Sequence, residues 1–317
     1  MARWKLIAIC SAVLVVGAGV VLAVLKVRVR MVWLPPGTLQ DCVQHSDLDL
    51  QVRACSEIID RDRLAGWAYS NRSHAYGDKG ELDLAIADAT KAIEIEPRFA
   101  PAYVNRAGAY VKKGDSDGAI ADANKAIEID PGLALAFANR AAAYVNKRDS
   151  DRAIADATKA IEVAPTLATA YASRAVAYVG KGDSDRAIAD ATKAIELNPQ
   201  EANAYAYRGN AHGAKGNYDR AIADYTSAIE INPKNAGYFN SRAWAYFKAG
   251  KAVQGWPDAE RSLQLRPDDA YTLDTRGHIF EALGRPAEAI ADFRRALSIE
   301  PTLQETRDAL KRLGAER

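Results

Sequence analysis

Residues 134–167 read ALAFANRAAAYVNKRDSDRAIADATKAIEVAPTL, and residues 168–201 read ATAYASRAVAYVGKGDSDRAIADATKAIELNPQE. Laid one under the other, the two stretches share an aromatic at position 4, an arginine at 7, an alanine at 8 and a tyrosine at 11. Further on they share an alanine at 20, an aspartate at 23 and a proline at 32. Moving outward, the proline recurs as Pro97, Pro131, Pro165, Pro199, Pro233, Pro267 and Pro301, always 34 residues after the last. The units are therefore 66–99, 100–133, 134–167, 168–201, 202–235, 236–269 and 270–303. A fixed period of this size marks a solenoid, in which each unit buries its apolar faces against its neighbours.

Within a unit, apolar or small residues at 4, 8 and 11, and again at 20, 21, 24, 27 and 28, follow three-and-four spacing on two separate stretches. That is two amphipathic helices per unit. Turns such as Lys113-Gly114-Asp115 and Lys181-Gly182-Asp183 separate them. Glycine there takes the left-handed conformation that ends the first helix, and aspartate caps the second. Small residues at 8 and 20 let the two helices approach, and the proline stops the second.

These columns resemble the tetratricopeptide repeat, whose pattern places an aromatic, a small residue, a second aromatic, alanines and a closing proline at the same offsets. The resemblance implies an all-α, right-handed superhelical solenoid of helix-turn-helix units. It also implies a concave face lined by first-helix positions 2, 5, 9, 12 and 13, on which a partner peptide or helix lies. In this chain position 5 runs Ser70, Val104, Ala138, Ala172, Ala206, Asn240, Asp274. Position 9 runs His74, Gly108, Ala142, Val176, Asn210, Trp244, His278, and position 12 includes Val111, Val145, Val179, Phe247 and Glu281. The groove expected from these columns is smooth and apolar at Val104, Val111, Val145, Val176 and Val179, then richer at Asn210, Asn240, Trp244, Phe247 and Lys248. The rival reading is that valine and alanine only pack a tight superhelix and that the chain is an architectural or self-assembling spacer. Members of the family that grip acidic chaperone tails use a lysine, asparagine and arginine clamp, which the early repeats lack.

Arginine holds position 7 in every unit, from Arg72 to Arg276, and aspartate holds position 23, from Asp88 to Asp292. They are either solvated charges copied by duplication or a ladder of ion pairs, with the partner's repeat left open. A partly buried pair would cost ~3 kcal/mol to break, an exposed one less than ~1 kcal/mol.

The repeats occupy most of the 317 residues and leave no stretch long enough for a separate catalytic domain. No Gly-rich phosphate loop or nucleophile elbow occurs, and His45, His74, His212 and His278 fall in different units without metal-ligand spacing. The expectation is a non-enzyme with no cofactor, no metal and no small-molecule substrate. Residues 304–317 suit a polar helix closing the last repeat.

Residues 1–30 carry five basic residues and no acid, which leaves the remainder of a +1 chain at about −4 and argues against nucleic acid as a partner. Between the basic flanks, Leu6 to Leu25 is twenty residues without a charge. That is long enough to span a bilayer of ~30 Å, so residues 1–30 read as a membrane anchor; a cleaved signal ending near Val21-Leu22-Ala23 is the competitor. Residues 31–65 read as a linker and a degenerate half-repeat shortened by Pro35 and Pro36. The ruler extended backwards puts Cys42 at position 11 and Cys55 at position 24, on facing sides of a hairpin, either bridged or as two buried thiols. Cys10, in the apolar run, reads as a small hydrophobe. This opening segment, with repeats reading Asn-Arg-x-x-Ala-Tyr and Ala-Ile-Ala-Asp-Ala, is similar to membrane-anchored or exported tetratricopeptide proteins of Gram-negative bacteria. That similarity implies a single-pass inner-membrane protein with a periplasmic solenoid.

Repeat six departs from the pattern at Gly255-Trp256-Pro257, where Pro257 is expected to delay the start of the second helix. Arg148, in place of the turn glycine of repeat three, is expected to be neutral.

Overall fold

The computed structural model describes residues 35–44 and 46–315. Those residues form seventeen α-helices and no strand. The apolar run Leu6–Leu25, Cys10 and His45 lie outside them. No helix among the described residues is long and apolar enough to cross a membrane. The chain divides into two compact units, one ending at Lys113 and one beginning at Gly114.

The first unit contains α1 (Thr38–Val43), α2 (Leu48–Arg61), α3 (Gly66–Lys79), α4 (Leu82–Ile95) and α5 (Ala100–Lys113). Helix α2 begins 34 residues before α4, in the register of a second helix, whereas α1 is a stub of six residues. A disulfide joins Cys42 of α1 to Cys55 of α2, with their Cα atoms 4.8 Å apart. Around it, Ile58, Ile59, Ala65 and Ala68 form the local core, flanked by Leu39, Trp67 and Tyr69. Gln51 is buried beside the bridge and its amide nitrogen donates to the backbone oxygens of Cys42 and Asn71, both at 3.3 Å. The first bond pairs a carbonyl at the end of the shortened α1, and the second ties α2 to α3.

The second unit continues with α6 (Ser116–Ile129), α7 (Ala134–Asn146), α8 (Ser150–Val163), α9 (Ala168–Gly180), α10 (Ser184–Leu197), α11 (Ala202–Ala214) and α12 (Tyr218–Ile231). It closes with α13 (Ala236–Lys248), α14 (Ala252–Leu265), α15 (Ala270–Ala282), α16 (Pro286–Ile299) and α17 (Gln304–Arg312). First and second helices pack as hairpins, and first helices of successive repeats touch, α7 with α9, α9 with α11 and α13 with α15.

The residues forming this architecture are mostly small. Alanine is fully buried at positions 20 and 27 of most repeats, as at Ala153, Ala160, Ala187 and Ala194, so helix backbones lie close together. Each alanine removes little apolar area from water, and stability accumulates from many similar interfaces between neighbours. Two repeats exchange volume between helices. Position 24 is Tyr225 in repeat five and Phe293 in repeat seven, and position 8 facing it is Gly209 or Gly277. A Cβ on Gly209 would lie 2.8 Å from the Tyr225 ring, and one on Gly277 2.5 Å from the Phe293 ring.

Aspartates cap the second helices as the turns require: Asp115 accepts from the amide of Gly118, Asp149 from Arg152 and Asp183 from Arg186. At the other end, the residue before each repeat proline is extended, from φ −126° at Glu300 to −143° at Arg266, which is the conformation proline imposes on its predecessor.

Two expectations are corrected here. Helix α14 starts at Ala252, in register with the other second helices, and Pro257 sits inside it rather than delaying it. Pro257 lies on the exposed side, so the carbonyl of Val253 that it leaves unpaired faces water. On the opposite side, a Cβ on Gly255 would meet the backbone oxygen of Ala243 at 2.8 Å, so α14 approaches α13 more closely than an alanine permits. Arg148, for its part, is not neutral. It adopts φ 59°, the left-handed conformation that glycine takes at this position in the neighbouring turns, such as Gly182 at 75°. A side chain with a Cβ is strained there by about 1 kcal/mol.

Candidate functional site

The arginine and aspartate columns form a structural ladder, and it answers the question of which repeat supplies the partner. In each described pair the guanidinium binds the aspartate of its own repeat with two parallel bonds. Arg174 Nε reaches Asp190 Oδ2 at 2.7 Å and Nη2 reaches Oδ1 at 2.9 Å. Arg72 with Asp88, Arg208 with Asp224, Arg242 with Asp258 and Arg276 with Asp292 repeat the pairing. The third nitrogen crosses to position 25 of the preceding repeat: Arg72 to Ser56 at 2.8 Å, Arg106 to Thr90 at 2.9 Å, Arg242 to Thr226 at 2.9 Å. Most of these guanidiniums also lie over the aromatic ring at position 4, as Arg174 does 5.8 Å above Tyr171. The hydrogen bond to Asp190 is the main reason the Arg174 pKa is raised. Arg174 and Asp190 therefore act as a strut of the scaffold and leave no free charge for a ligand.

A second ladder, not singled out from the sequence, is also present. Lysine at position 14 meets the aspartate at position 18 of the preceding repeat, as in Lys79 with Asp49, Lys113 with Asp83 and Lys147 with Asp117. Lys181 with Asp151 and Lys215 with Asp185 continue it, and in repeat six Lys251 reaches Asp219 from two residues later. These pairs are exposed, so water and salt screen them and each adds little to stability.

The columns named for the groove part company. In the first unit Val104 is buried and Val111 half-buried. In the second, Val145, Val176 and Val179 are half-buried, and Val179 packs on Tyr178, Ala187 and Ala211. Asn210 is committed to the fold, since its Oδ1 accepts from the Tyr225 hydroxyl at 2.7 Å. Farther on, side chains of α13 and α15 gather. The rings of Trp244 and Phe247 lie 5.2 Å apart, and Lys248 Nζ stands 5.6 Å over the indole while its side chain is exposed. His278 joins from α15, 5.7 Å from Trp244 and 5.6 Å from Phe247, and rests edge-on against Phe293 at 5.0 Å. One turn earlier on the two helices stand Asn240 and Asp274.

The polar groups of this patch are under-satisfied. Asn240 Oδ1 and His278 Nε2 are buried and have no hydrogen-bond partner among the described residues. Asp274 accepts from the Thr306 hydroxyl of α17 at 2.6 Å and lies 3.6 Å from His278 Nε2. Burial raises the Asp274 pKa above the ordinary aspartate value, with Thr306 and His278 opposing and Glu305 adding to the shift. Glu281 lies 3.7 Å from His278 Nδ1 and is clamped by Arg312 at 2.8 and 2.9 Å, which holds its carboxyl below the usual range. His278, Asp274, Glu281 and Thr306 were not singled out from the sequence. The signal available was the change of positions 5, 9 and 12 from apolar to polar in repeat seven. Its significance depends on α17, which covers Asp274. Of the other histidines, His212 is buried at an aromatic position, and His74 is half-buried near Asp78. Among the described residues no group of three histidine, cysteine or acidic side chains is placed to hold a metal ion.

The family models described as tetratricopeptide repeat match residues 68–99, 100–133, 134–167, 168–201, 202–235 and 270–303. Comparison with curated proteins gives no sequence match. Among solved structures, the Cut9–Hcn1 hetero-tetramer of APC/C is similar over 84% of this chain and 53% of that one, at 18% identity and a TM-score of 0.74. The chain thus spans about half the length of that relative. A tetratricopeptide repeat protein from Parabacteroides merdae covers 83% of this chain and 99% of its own at 22% identity and a TM-score of 0.54. PilF of Pseudomonas aeruginosa covers 67% and 97% at 16% identity and a TM-score of 0.56. At these identities the likeness is one of fold.

Proposed function

Because the chain belongs to the tetratricopeptide repeat family, whose fold is typical of protein-protein interaction scaffolds, we propose that it is a non-enzymatic, membrane-anchored scaffold. In this reading, the first helices line the concave side of a right-handed superhelix and hold a partner peptide or helix there. The observation that carries it is the gathering of Trp244, Phe247 and His278 on adjacent first helices, beside Lys248 and an unpartnered Asn240 oxygen. Aromatic residues flanked by buried polar atoms are the composition of a binding hot spot, whereas a surface that only packs on itself has no use for unpaired acceptors. The anchor is the charge-free run Leu6–Leu25. Periplasmic placement of the repeats is supported by the Cys42–Cys55 bridge, since such bonds persist in oxidising compartments.

The test is site-specific photocrosslinking in intact cells with a benzophenone amino acid in place of Phe247. A discrete adduct with one identified protein is expected, and the double substitution Trp244→Ala, Phe247→Ala should abolish co-purification of that protein while leaving the helical circular dichroism intact. Absence of any adduct, or co-purification that survives the double substitution, would favour a spacer without a ligand. Protease digestion of spheroplasts should cleave the repeats if they are periplasmic and spare them if they are cytoplasmic.

A further inference from the structure

The patch between α13 and α15 offers acceptors and aromatic faces but few free donors. Asp274 is a carboxylate whose side chain is 16% exposed, and among the described residues its ionic contact is with His278 at 3.6 Å. His278 is itself 9% exposed, and its Nε2, turned toward Asp274, has no hydrogen-bond partner. Asn240 Oδ1, at the same position 5 on the neighbouring first helix, is likewise buried and unpaired. A buried oxygen such as Asn240 Oδ1 that lacks a donor is unfavourable in the free protein and becomes favourable when a ligand supplies the missing hydrogen.

The cations already nearby do not fill this need. Arg312 is held by both oxygens of Glu281. Lys248 stands over the Trp244 ring, and its own side chain is exposed. An anion would meet the Asp274 carboxylate and the Asn240 amide oxygen, both of which repel it. A planar cation meets complementary chemistry: donors in its plane for Asp274 and Asn240, and a face for Trp244, whose ring lies 5.7 Å from His278.

Building on the groove reading above, we infer that the Asn240–Asp274–His278 site takes the guanidinium of an arginine carried by the partner peptide. Arginine is favoured over lysine because two acceptors on separate helices match a flat, forked donor better than a point charge. The class of partner is therefore a basic peptide or helix, with apolar side chains against Phe247 and one arginine lodged beside Asp274.

The full chain in detergent micelles, labelled with 5-fluorotryptophan, provides the readout, because its five tryptophans give separable fluorine signals and Trp244→Phe identifies one. The probe is acetyl-Ala-Leu-Arg-Leu-Ala-amide, compared with the same peptide carrying citrulline or lysine. Saturable movement of the Trp244 signal by the arginine peptide is expected, with at least tenfold weaker binding of the citrulline and lysine peptides. Asp274→Asn should weaken the arginine peptide at least tenfold, and Asp274→Glu should recover part of the loss. Asn240→Leu, which removes the second acceptor, supplies an independent reading if Asp274→Asn perturbs the fold. Equal binding of the citrulline or lysine peptide, or unchanged binding to both Asp274→Asn and Asn240→Leu, would overturn the assignment while leaving groove docking intact. An arginine peptide that leaves the Trp244 signal unmoved overturns it as well. Failure of the groove reading shows instead as the absence of a crosslinked partner at position 247.

Discussion

Arg140 grips Asp156 with two parallel hydrogen bonds, Nε to Oδ2 at 2.7 Å and Nη2 to Oδ1 at 2.6 Å, while its remaining nitrogen reaches Asn124 of the preceding repeat at 2.5 Å. The Arg140 side chain is 20% exposed and that of Asp156 11%, so neither charge is well screened by water. A single guanidinium thus fastens the two helices of its own repeat and ties them to the repeat before.

Removing one partner leaves the other charge half-buried and alone. Arg140→Met or Asp156→Leu should each lower unfolding stability by about 3 kcal/mol. The double variant should lose at least about 2 kcal/mol less than the sum, measured by urea unfolding of the four proteins. A coupling below about 0.5 kcal/mol would mean that the pair is ornamental.

Arg148 gives a prediction of the opposite sign. Its φ of 59° is one that glycine adopts without a steric cost. Arg148→Gly should therefore raise stability by about 1 kcal/mol, offset slightly by the extra freedom glycine gives the unfolded chain. An unchanged or lower denaturation midpoint would show that the strain is absorbed elsewhere in the turn.

Gly255 is the residue at which restoring the repeat pattern should do harm. Alanine holds position 20 in the other repeats, yet here its Cβ would lie 2.8 Å from the Ala243 oxygen, 3.1 Å from Tyr246 Cβ and 3.3 Å from Ile279 Cδ1. Gly255→Ala should cost about 1–3 kcal/mol through forced separation of α13 and α14. Ala221→Gly, the reverse change where alanine fits, should also lose about 1 kcal/mol. If Gly255→Ala stabilised the protein, the close approach of the two helices would be refuted.

The contrast between Gly255 and Ala221 shows what the sequence could carry. Column identity revealed the helices because residues such as Ala153 and Ala187 satisfy one local packing rule repeated at a constant interval. It revealed the Trp244 and Phe247 patch because bulky rings interrupt a run of small residues. It could not place Pro257 within α14, because that depends on the proline falling on the exposed side of a helix whose Gly255 side is pinned to Ala243 and Tyr246. Nor could it weigh Asp274, whose burial comes from α17 and the Thr306 hydroxyl rather than from its own repeat. Periodicity encodes contacts that recur; contacts made once, at a repeat's defect or at the closing helix, need coordinates.

His212 converts a column defect into a pH dependence. It stands at position 11, where repeats two to four have tyrosine, and is buried with its Nε2 4.0 Å from Asp224 Oδ2. Desolvation lowers its pKa; Asp224 opposes the shift, and Arg208, Arg220 and Lys215 reinforce it. The folded chain therefore resists a proton that the unfolded chain accepts near pH ~6.5. Stability from this residue is complete above that pH and is lost as pH falls toward the depressed folded value, because the unfolded state then binds more protons. The slope contributed by one such group is at most about 1.4 kcal/mol per pH unit. His212→Phe, which installs the residue found at the same position as Phe280, should raise stability at pH 5.5 more than at pH 7.5 and flatten the profile between them. Parallel profiles for the two proteins would assign the acid sensitivity to other groups and remove His212 from the account.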